Sequence, residues 1–583
     1  MKFLLAAINA KYIHSNLGVY SLKAYAKQEC QCPEAVIEIG EYTINHQMDS
    51  ILKDIFLKKP DVVGFSCYIW NISYVLTLAR DLQKVLPHVE IWLGGPEVSY
   101  RAEALLKEEP HIRGIMMGEG EETFAELVSA YEGGNWEQLF AIAGTAVHQQ
   151  GEIVINPMRP PLDMNRIPFV YDNLEQYEHR IIYYESSRGC PFSCSYCLSS
   201  IDKSVRFRDL QLVKAELDFF LEHRVPQVKF VDRTFNCKKS HSMAIWHHIL
   251  DHDNGITNFH FEVSGDILDE EELELLSRMR PGLVQLEIGV QSTNSQTISE
   301  IHRTMDLGKL KEVVRRINGF GNIHQHLDLI AGLPYEDYES FTQSFHEVYE
   351  MEPEQLQLGF LKVLSGSYME LQKGTYGLRY SGQPPYEVLS TSWLSYGDIV
   401  KLKAVEEMVE VYYNSSQYRN TLKLLEKEFD NPFFMFEQLA KYYEEQKLFG
   451  ISHNRLARYE ILHDFICRKV TQSEEKQQQF VRCLMYDLYL RENVKSRPAF
   501  APDQTSYKGM IKEFFMEEAV RPRYLKGYEQ YDSRQMSKIA HLEVMNDGTA
   551  VLFDYLNRDP LTYNGTAYVI LGEDFGDEVP KHR

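Results

Sequence analysis

The chain lacks several features that define large protein classes. No apolar run reaches the roughly 18 residues of a membrane-spanning helix, so no segment is expected to cross a membrane. Nine cysteines in 583 residues are too few, and odd in number, for a disulfide framework. The start, Met1–Ala7, is too short and too poor in basic residues for a secretory signal. We therefore expect a cytoplasmic protein.

Basic residues are also scarce. Lys and Arg number 61 against 84 Asp and Glu, which gives a net charge of −23. Broad contact with nucleic acid depends on neutralising phosphates, so nucleic acid is not an expected partner, and only a local basic groove remains open. At 583 residues the chain is too long for a single core, and two to four domains are expected.

Three of the nine cysteines lie close together: Cys190, Cys194 and Cys197. They follow a β-branched and aromatic run, 181–184, that predicts a strand. Three thiolates on one loop can converge on zinc or on an iron–sulfur cluster. Both centres usually take four protein ligands, so three cysteines without an evident fourth leave one iron open for chemistry. The alternatives are a zinc site that borrows Cys237 or a histidine, and three unrelated core thiols.

This spacing, with the aromatic Tyr196 directly before the third cysteine, resembles the motif of the radical S-adenosylmethionine (SAM) superfamily. The resemblance implies that the three cysteines hold a [4Fe–4S] cluster whose fourth iron chelates the amino and carboxylate groups of SAM. It implies that an electron from the cluster cleaves SAM to a 5′-deoxyadenosyl radical. A reductant such as flavodoxin or ferredoxin is then an expected partner.

Residues 1 to about 135 alternate between predicted strands and helices, which indicates a doubly wound, Rossmann-like parallel sheet. Ligands of such sheets bind at the carboxyl ends of the strands, where small residues let a cofactor approach the backbone. Those ends read Asn9–Gly18, Ser66–Tyr68, Gly94–Glu97 and Gly118–Glu121.

A domain of this kind directly before the cysteine loop is similar to the cobalamin-binding domain of B12-binding radical SAM proteins. The resemblance implies that the nucleotide tail of cobalamin lies among the strand ends and that the corrin faces the cluster. The implied cobalamin contacts are Asn9, Tyr12, Gly18, Ser66, Tyr68, Gly94, Gly95, Glu97, Gly118, Glu119 and Glu121.

The Asp-x-His-x-x-Gly signature of many cobalamin domains is absent. His14 has Tyr12 two residues before it and Leu17 three residues after it, so the signature does not fit. We therefore expect no histidine ligand to cobalt from this domain. The alternative is a sheet that holds no corrin and serves only as a wall or docking surface.

From Ile181 the strand–helix alternation resumes in six units, which suggests an open (β/α)6 partial TIM barrel with its site at the carboxyl ends of the strands. The family resemblance places the SAM amino group near Asp232–Thr234, the ribose near Glu262, Ser264 and Glu287, the carboxylate near Gln291 or Arg303, and the adenine near Tyr196 and the turn 331–333. The implied SAM contacts are Tyr196, Asp232, Thr234, Glu262, Ser264, Glu287, Gln291, Arg303, Gly332 and Leu333. For each of these residues the alternative is a structural role, as a helix cap, as one member of a cross-strand pair or as part of a turn.

We predict four segments: a Rossmann-like cobalamin-binding domain over 1–143, a hairpin and linker over 144–180, a radical SAM core over 181–370, and a mainly helical domain over 371–583 that ends in a β-hairpin. The last segment resembles the C-terminal region of unknown function in one bacterial subfamily of B12-binding radical SAM proteins.

These features together predict an enzyme that cleaves SAM reductively and abstracts hydrogen from a substrate. With cobalamin, the outcome is methyl transfer to an unactivated carbon, or else a radical rearrangement or oxidation without methyl transfer. A non-catalytic iron–sulfur redox sensor or binding protein is the alternative from another class. The substrate, a small molecule or a peptide, is not identified by the sequence.

Overall fold

The computed structural model describes residues 1–30, 32, 34–201 and 203–571. The chain forms two compact units. The first contains residues 1–323, 330–338 and 359–396, and the second contains 324–329, 339–358 and the chain from 397 onward. Residues 572–583 of the predicted C-terminal segment lie outside the described residues.

A seven-stranded sheet begins the first unit, with the strand order β2-β1-β3-β4-β5-β6-β7. Its strands are β1 (Lys2–Asn9), β2 (Val36–Thr43), β3 (Val62–Ser66), β4 (Glu90–Gly94), β5 (Gly114–Met116), β6 (Thr145–Gln149) and β7 (Glu152–Ile155). Its helices are α1 (Leu17–Glu29), α2 (Met48–Lys58), α3 (Ile72–Val85), α4 (Pro96–Ser99), α5 (Ala102–Glu108), α6 (Glu121–Glu132) and α7 (Trp136–Phe140). β1 to β5 pair in parallel, and the predicted doubly wound domain is confirmed.

The hairpin predicted in the linker is part of this sheet. β6 pairs antiparallel with β5, with Thr145 opposite Met116, and β7 pairs antiparallel with β6. β5 has only three residues, and without β6 its unpaired N–H and C=O groups would form a sheet edge. Two strands from the predicted hairpin and linker segment therefore extend the parallel sheet of β1 to β5.

A second sheet contains six strands whose order follows the chain, β8-β11-β12-β13-β14-β15. The six strands are β8 (Ile182–Tyr184), β11 (Gln227–Phe230), β12 (Asn258–Val263), β13 (Val284–Gln291), β14 (His324–Ala331) and β15 (Gln355–Phe360). Between β8 and β11 the chain forms a separate antiparallel pair, β9 (Ser187–Arg188) and β10 (Arg206–Phe207). The helices are α8 (Leu210–Glu222), α9 (Lys239–Asp251), α10 (Glu270–Ser277), α11 (Ser295–Glu300), α12 (Leu307–Phe320), α13 (Tyr338–Tyr349) and α14 (Tyr368–Leu371). This is the predicted partial (β/α)6 barrel.

The remaining elements include the short pair β16 (Arg379–Tyr380) and β17 (Val388–Ser390). The remaining helices are α15 (Tyr396–Met408), α16 (Arg419–Glu426), α17 (Pro432–Glu445), α18 (Arg455–Phe465), α19 (Glu474–Arg491), α20 (Lys508–Val520) and α21 (Ser533–Ile539). An antiparallel sheet of β18 (Ala540–Val544), β19 (Ala550–Asp554) and β20 (Thr566–Leu571) ends the described chain.

The predicted mainly helical C-terminal region is thus confirmed, whereas the boundaries at 143, 180 and 370 stay predictions. Within the described part of the chain, no helix combines the length and the apolar character that a membrane crossing requires.

Candidate functional site

The cysteine loop begins at the carboxyl end of β8. Gly189, directly before Cys190, has a φ of +99°, and a Cβ there would lie 2.5 Å from the carbonyl oxygen of Ser204, so only glycine fits. Cys190 and Cys194 are buried and Cys197 is half-buried, and all three are free thiols. The loop therefore presents three unpaired sulfurs directly after a barrel strand.

The backbone of the loop is fixed by its own hydrogen bonds. Ser195 N–H donates to the Ile301 carbonyl at 2.9 Å, and the Ser200 hydroxyl donates to the carbonyls of Cys194 and Cys197 at 3.0 and 2.6 Å. These bonds satisfy main-chain groups and leave the thiols available as ligands.

The alternative of a zinc site at the cysteine loop can be compared with the groups of candidate metal ligands in the structure. Among the described residues, one group of three His, Cys, Asp or Glu side chains has its ligand atoms all within 4.8 Å of one another, and it lies on α8 and α9. The cysteine loop, with or without Cys237, does not form such a group in that part of the chain. Three thiolates on one loop remain suited to an iron–sulfur cluster, the centre that the sequence predicts.

Two predicted SAM contacts lie against the cysteine sulfurs. Arg303 Nη1 is 3.9 Å from Cys194 Sγ, and Thr234 Oγ1 is 3.7 Å from Cys190 Sγ. Burial raises the pKa of the Cys194 thiol, and the charge of Arg303 opposes that rise. Tyr196 also lies beside this thiol.

Asp232 supports the chain that leads into the loop. Its fully buried carboxylate accepts hydrogen bonds from Ser186 N–H at 3.0 Å and from the hydroxyls of Ser186 and Ser187, both at 2.6 Å. Burial raises the pKa of Asp232 to about 6, and these three hydrogen bonds oppose the shift. Both carboxylate oxygens already accept hydrogen bonds from Ser186 or Ser187, so the contact of Asp232 with the SAM amino group stays a prediction.

Replacing Asp232 with alanine will reduce the iron and sulfide bound per chain and lower the thermal midpoint. The change leaves the Ser186 N–H and the Ser187 hydroxyl without their acceptor, at about 1–3 kcal/mol for each donor, whereas the Ser186 hydroxyl still has His241 Nε2 at 3.0 Å. The control is Asp269→Ala, which removes the more exposed cap of α10. Unchanged cluster content and an unchanged midpoint in Asp232→Ala would contradict the supporting role.

Charged side chains line up across β11, β12 and β13. Lys229 is paired in register with His260, and Glu262 with Glu287. Lys229 Nζ and His260 Nε2 lie 3.0 and 3.1 Å from Glu287 Oε2. Burial raises the pKa of Glu262 to about 7, an effect that Arg233 partly opposes. The two predicted ribose contacts, Glu262 and Glu287, are therefore neighbours.

The remaining predicted SAM contacts lie at the ends of β12, β13 and β14. A Cβ on Gly289 would meet Gln291 Nε2 at 2.5 Å and Arg303 Nη2 at 3.3 Å, so both predicted carboxylate contacts lie over one glycine. The Ser264 hydroxyl donates to Asp266 at 2.7 Å. The last two contacts are in the turn after β14, Gly332 and the buried Leu333.

Two cavities open at the carboxyl ends of the N-terminal sheet. The larger, of about 640 Å³, is lined by strand-end residues of that sheet and also by Glu185, Arg188 and Arg233 near the cysteine loop. The smaller, of about 220 Å³, lies among the strand-end glycines. Predicted cobalamin contacts that line one or both cavities are Asn9, Gly18, Ser66, Tyr68, Gly94, Gly95, Gly118, Glu119 and Glu121.

A glycine is required beside the smaller cavity. Gly95, after β4, has a φ of +111°, and a Cβ there would lie 2.5 Å from the Cys67 carbonyl oxygen. The chain thus turns sharply and brings bare backbone to the cavity wall, a feature suited to close approach by a cofactor.

Two predicted cobalamin contacts lie away from both cavities. Tyr12 is 60% exposed, and its ring lies 4.9 Å under the guanidinium of Arg180. Glu97 is buried, and its carboxylate accepts a hydrogen bond from the Tyr386 hydroxyl. For these two residues the cobalamin contact stays a prediction without support from the cavity walls.

An ion-pair network, which the sequence reasoning missed, joins the N-terminal sheet to the cysteine loop. Arg188 lies 2.7 Å from Glu185, 2.9 Å from Glu121 and 3.5 Å from Glu119. Glu119 is also paired with Arg206. One signal for this network was available in the sequence. Arg188 is a basic residue two positions before Cys190, and buried carboxylates need a partner of this kind.

Three domain families match the chain in sequence. The B12 binding domain matches residues 4–128, the radical SAM superfamily 184–348, and a family described as a protein of unknown function, DUF4080, 374–556. These domains imply a [4Fe–4S] cluster, SAM and cobalamin as cofactors, and the thiol loop and the glycine-lined cavities fit them.

Parts of the chain are similar in sequence to known proteins. The cobalamin-dependent radical SAM methyltransferase TokK of Streptomyces tokunonensis is 26% identical over 50% of this chain and 45% of its own length. The anaerobic magnesium-protoporphyrin IX monomethyl ester cyclase of Rubrivivax gelatinosus is 24% identical over 55% of this chain and 59% of its own length. The chain thus spans about half the length of these relatives.

The fold is also shared with a solved structure. The cobalamin-dependent SAM radical enzyme OxsB, determined with aqua-cobalamin and SAM, has a TM-score of 0.58 at 15% identity, over 83% of this chain and 78% of OxsB. The chain thus carries a B12-binding domain, a radical SAM domain and a C-terminal DUF4080 domain, in that order.

Proposed function

We propose that this protein is a cobalamin-dependent radical SAM enzyme that transfers a methyl group to an unactivated carbon of a small-molecule or peptide substrate. The observation that carries the proposal is the larger cavity. Its wall includes Asn9, Tyr68 and Gly118 from the N-terminal sheet, and Glu185 and Arg188 from the chain that enters the cysteine loop. A cofactor in this cavity is therefore next to the loop that holds the cluster.

When bound, the cluster supplies the electron that cleaves SAM, and cobalamin supplies a carrier for the methyl group. Cys190, Cys194 and Cys197 hold the cluster in this proposal. Arg303 and Gln291, which lie together over Gly289, bind the methionine carboxylate, since an arginine fork can bond both oxygens.

The neighbouring carboxyls Glu262 and Glu287 bind the ribose hydroxyls, with Ser264 beside them. Lys229 and His260 hold Glu287 in place from the adjacent strands. Thr234 and Asp232 are assigned to the amino group, and Tyr196, Gly332 and Leu333 to the adenine.

On the cobalamin side, the smaller cavity accepts the nucleotide tail and the larger one accepts the corrin. Tyr68 and Trp70 stack at 4.3 Å and line the larger cavity, so this wall offers aromatic rings to the corrin. His14 also lines it, but its Nδ1 is 2.7 Å from the Tyr183 hydroxyl. We assign His14 to that hydrogen bond and not to cobalt.

A second candidate function is a radical cyclisation or oxidation without methyl transfer. The observation that favours it is the match to the Rubrivivax gelatinosus cyclase over 55% of this chain. Both candidates need an external reductant, as radical SAM enzymes do, and we propose flavodoxin or ferredoxin. A non-catalytic redox sensor would not need Gln291 and Arg303, the side chains over Gly289 that we assign to SAM.

Reconstituted anaerobically with iron, sulfide and hydroxocobalamin, the full chain will convert SAM to 5′-deoxyadenosine when reduced with dithionite. With methyl-labelled SAM and cell extract as the source of substrate, label will enter a new product. Glu287→Gln will slow 5′-deoxyadenosine formation on the order of tenfold to a hundredfold, because displacement of a bound substrate by about 1 Å has effects of that size.

The matched control is Glu271→Gln, whose side chain is 69% exposed on α10. A fully loaded cluster that yields no 5′-deoxyadenosine, even with extract, contradicts catalysis. Formation of 5′-deoxyadenosine without labelled product contradicts methyl transfer and supports the second candidate.

A further inference from the structure

Two helices of the barrel bring together two histidines and a carboxylate that the proposed function does not use. Asp218 lies on α8, His248 lies on α9, and His252 is the residue that directly follows α9. The ligand atoms of these three side chains all lie within 4.8 Å of one another. None of the three lines either cavity at the N-terminal sheet.

The placement follows from helix geometry. Residues four apart on a helix share a face, so His248 and His252 are neighbours, with ring centroids 4.3 Å apart. Asp218 faces them from α8, and its Oδ1 is 2.7 Å from His248 Nε2. His248 is buried, Asp218 is 40% exposed and His252 is exposed. The group therefore lies at the surface, with room for water beside it.

The hydrogen bonds determine where the lone pairs are. His252 Nδ1 lies 2.9 Å from the backbone carbonyl oxygen of His248. A carbonyl oxygen can only accept, so Nδ1 carries the hydrogen and the neutral ring has its lone pair on Nε2. Metal-binding histidines are commonly oriented in this way, with the second ring nitrogen donating to a backbone carbonyl.

We propose that Asp218, His248 and His252 bind one zinc ion that bridges α8 and α9. Two imidazole nitrogens and a carboxylate oxygen are ligands that zinc prefers, and water completes the fourth position. Ligand atoms of a tetrahedral zinc ion lie about 3.3 Å apart, so the Asp218–His248 pair opens slightly as the ion enters. As the ion binds, the proton leaves His248 Nε2 and the ring keeps one hydrogen, on Nδ1, so that a neutral imidazole is the ligand.

The bridge has a structural role at this position. α8 precedes β11 and α9 follows it, and the segment between β11 and α9 carries Asp232 and Thr234. Zinc would tie the C-terminal ends of α8 and α9 together, at the end of α9 that is opposite this segment. The alternative is a plain His248–Asp218 ion pair beside an unconnected His252.

The test uses the full chain with its cluster loaded anaerobically, so that the loop cysteines are occupied before zinc is added. Zinc is titrated against a chromophoric chelator in the wild type and in Asp218→Asn, His252→Ala and His247→Ala. His247 is exposed on the same helix and provides the control. We expect His247→Ala to bind as the wild type does, and the other two variants to lose at least about tenfold in affinity at one site, since even outer-shell changes have effects of 10–100-fold.

Thermal unfolding gives the second readout. Zinc will raise the midpoint of the wild type and of His247→Ala but not that of His252→Ala, because an ion that binds only the folded state stabilises it. His252 is exposed, so its replacement leaves the fold intact. Equal zinc affinity and an equal midpoint shift in wild type and His252→Ala would overturn the site in favour of the plain ion pair.

Discussion

Replacing Cys194 with alanine will abolish formation of 5′-deoxyadenosine from SAM. Cys194 is one of three thiols available to the cluster, and its loop is fixed from both sides through Ser195 and Ser200. The variant therefore leaves the centre with two of its three protein ligands. Iron, sulfide and absorption assays on anaerobically reconstituted protein will show loss of the cluster, and chromatography will show loss of the product.

Cys237→Ala is the matched control for this experiment. Cys237 is a half-buried thiol near Cys190, and it is the residue that a zinc site would borrow. We expect this variant to retain its full iron and sulfide content. Full loading after all three loop cysteines are replaced would refute the assignment of the cluster to this loop.

Ser66→Phe will prevent the protein from retaining cobalamin. Ser66 ends β3 and lines the smaller cavity, where its hydroxyl accepts a hydrogen bond from Asn16 at 3.3 Å. A phenyl ring there occupies much of a space of about 220 Å³ and excludes the nucleotide tail. After incubation with hydroxocobalamin and desalting, the wild type will show a corrin spectrum. The variant will retain at least about tenfold less, which corresponds to 1.4 kcal/mol or more.

Ser73→Phe places the same ring on an exposed position of α3 and is expected to leave corrin retention unchanged. Cluster content should be the same in both variants. His14→Ala should leave the cobalt spectrum unaltered. Retention of corrin by Ser66→Phe at the wild-type level would show that the nucleotide tail does not bind in the smaller cavity. Absence of retention in the wild type would support a sheet that serves only as a wall.

The strands of both parallel sheets were predictable because buried β-branched and aromatic runs alternate with amphipathic helices. The alternation predicted over residues 1 to about 135, for example, matches the elements from β1 to α6. The sheet partner of the 144–156 hairpin was not predictable. Thr145 pairs with Met116 across two intervening helices, and the local pattern does not show which strand edge is open.

For the site, the cysteine spacing carried the prediction, since all three ligands lie within eight positions of the sequence. The partners of the predicted acidic residues could not be found in this way. Glu287 is held by Lys229, 58 positions away, and Glu121 by Arg188, 67 positions away. Such contacts depend on strand register and on how two sheets meet, and neither is encoded in a short motif.

The contacts of Arg188 bear on how such enzymes can be recombined. Its guanidinium is only 19% exposed, and it reaches Glu121 at the start of α6 as well as Glu185 beside its own loop. A chimera that joined this barrel to the sheet of another protein would leave Arg188 with Glu185 but without Glu119 and Glu121, in a poorly hydrated place. The boundary between the two sequence families is therefore a poor crossover point, and an exchange that works will have to carry residues 118–121 together with 185–188.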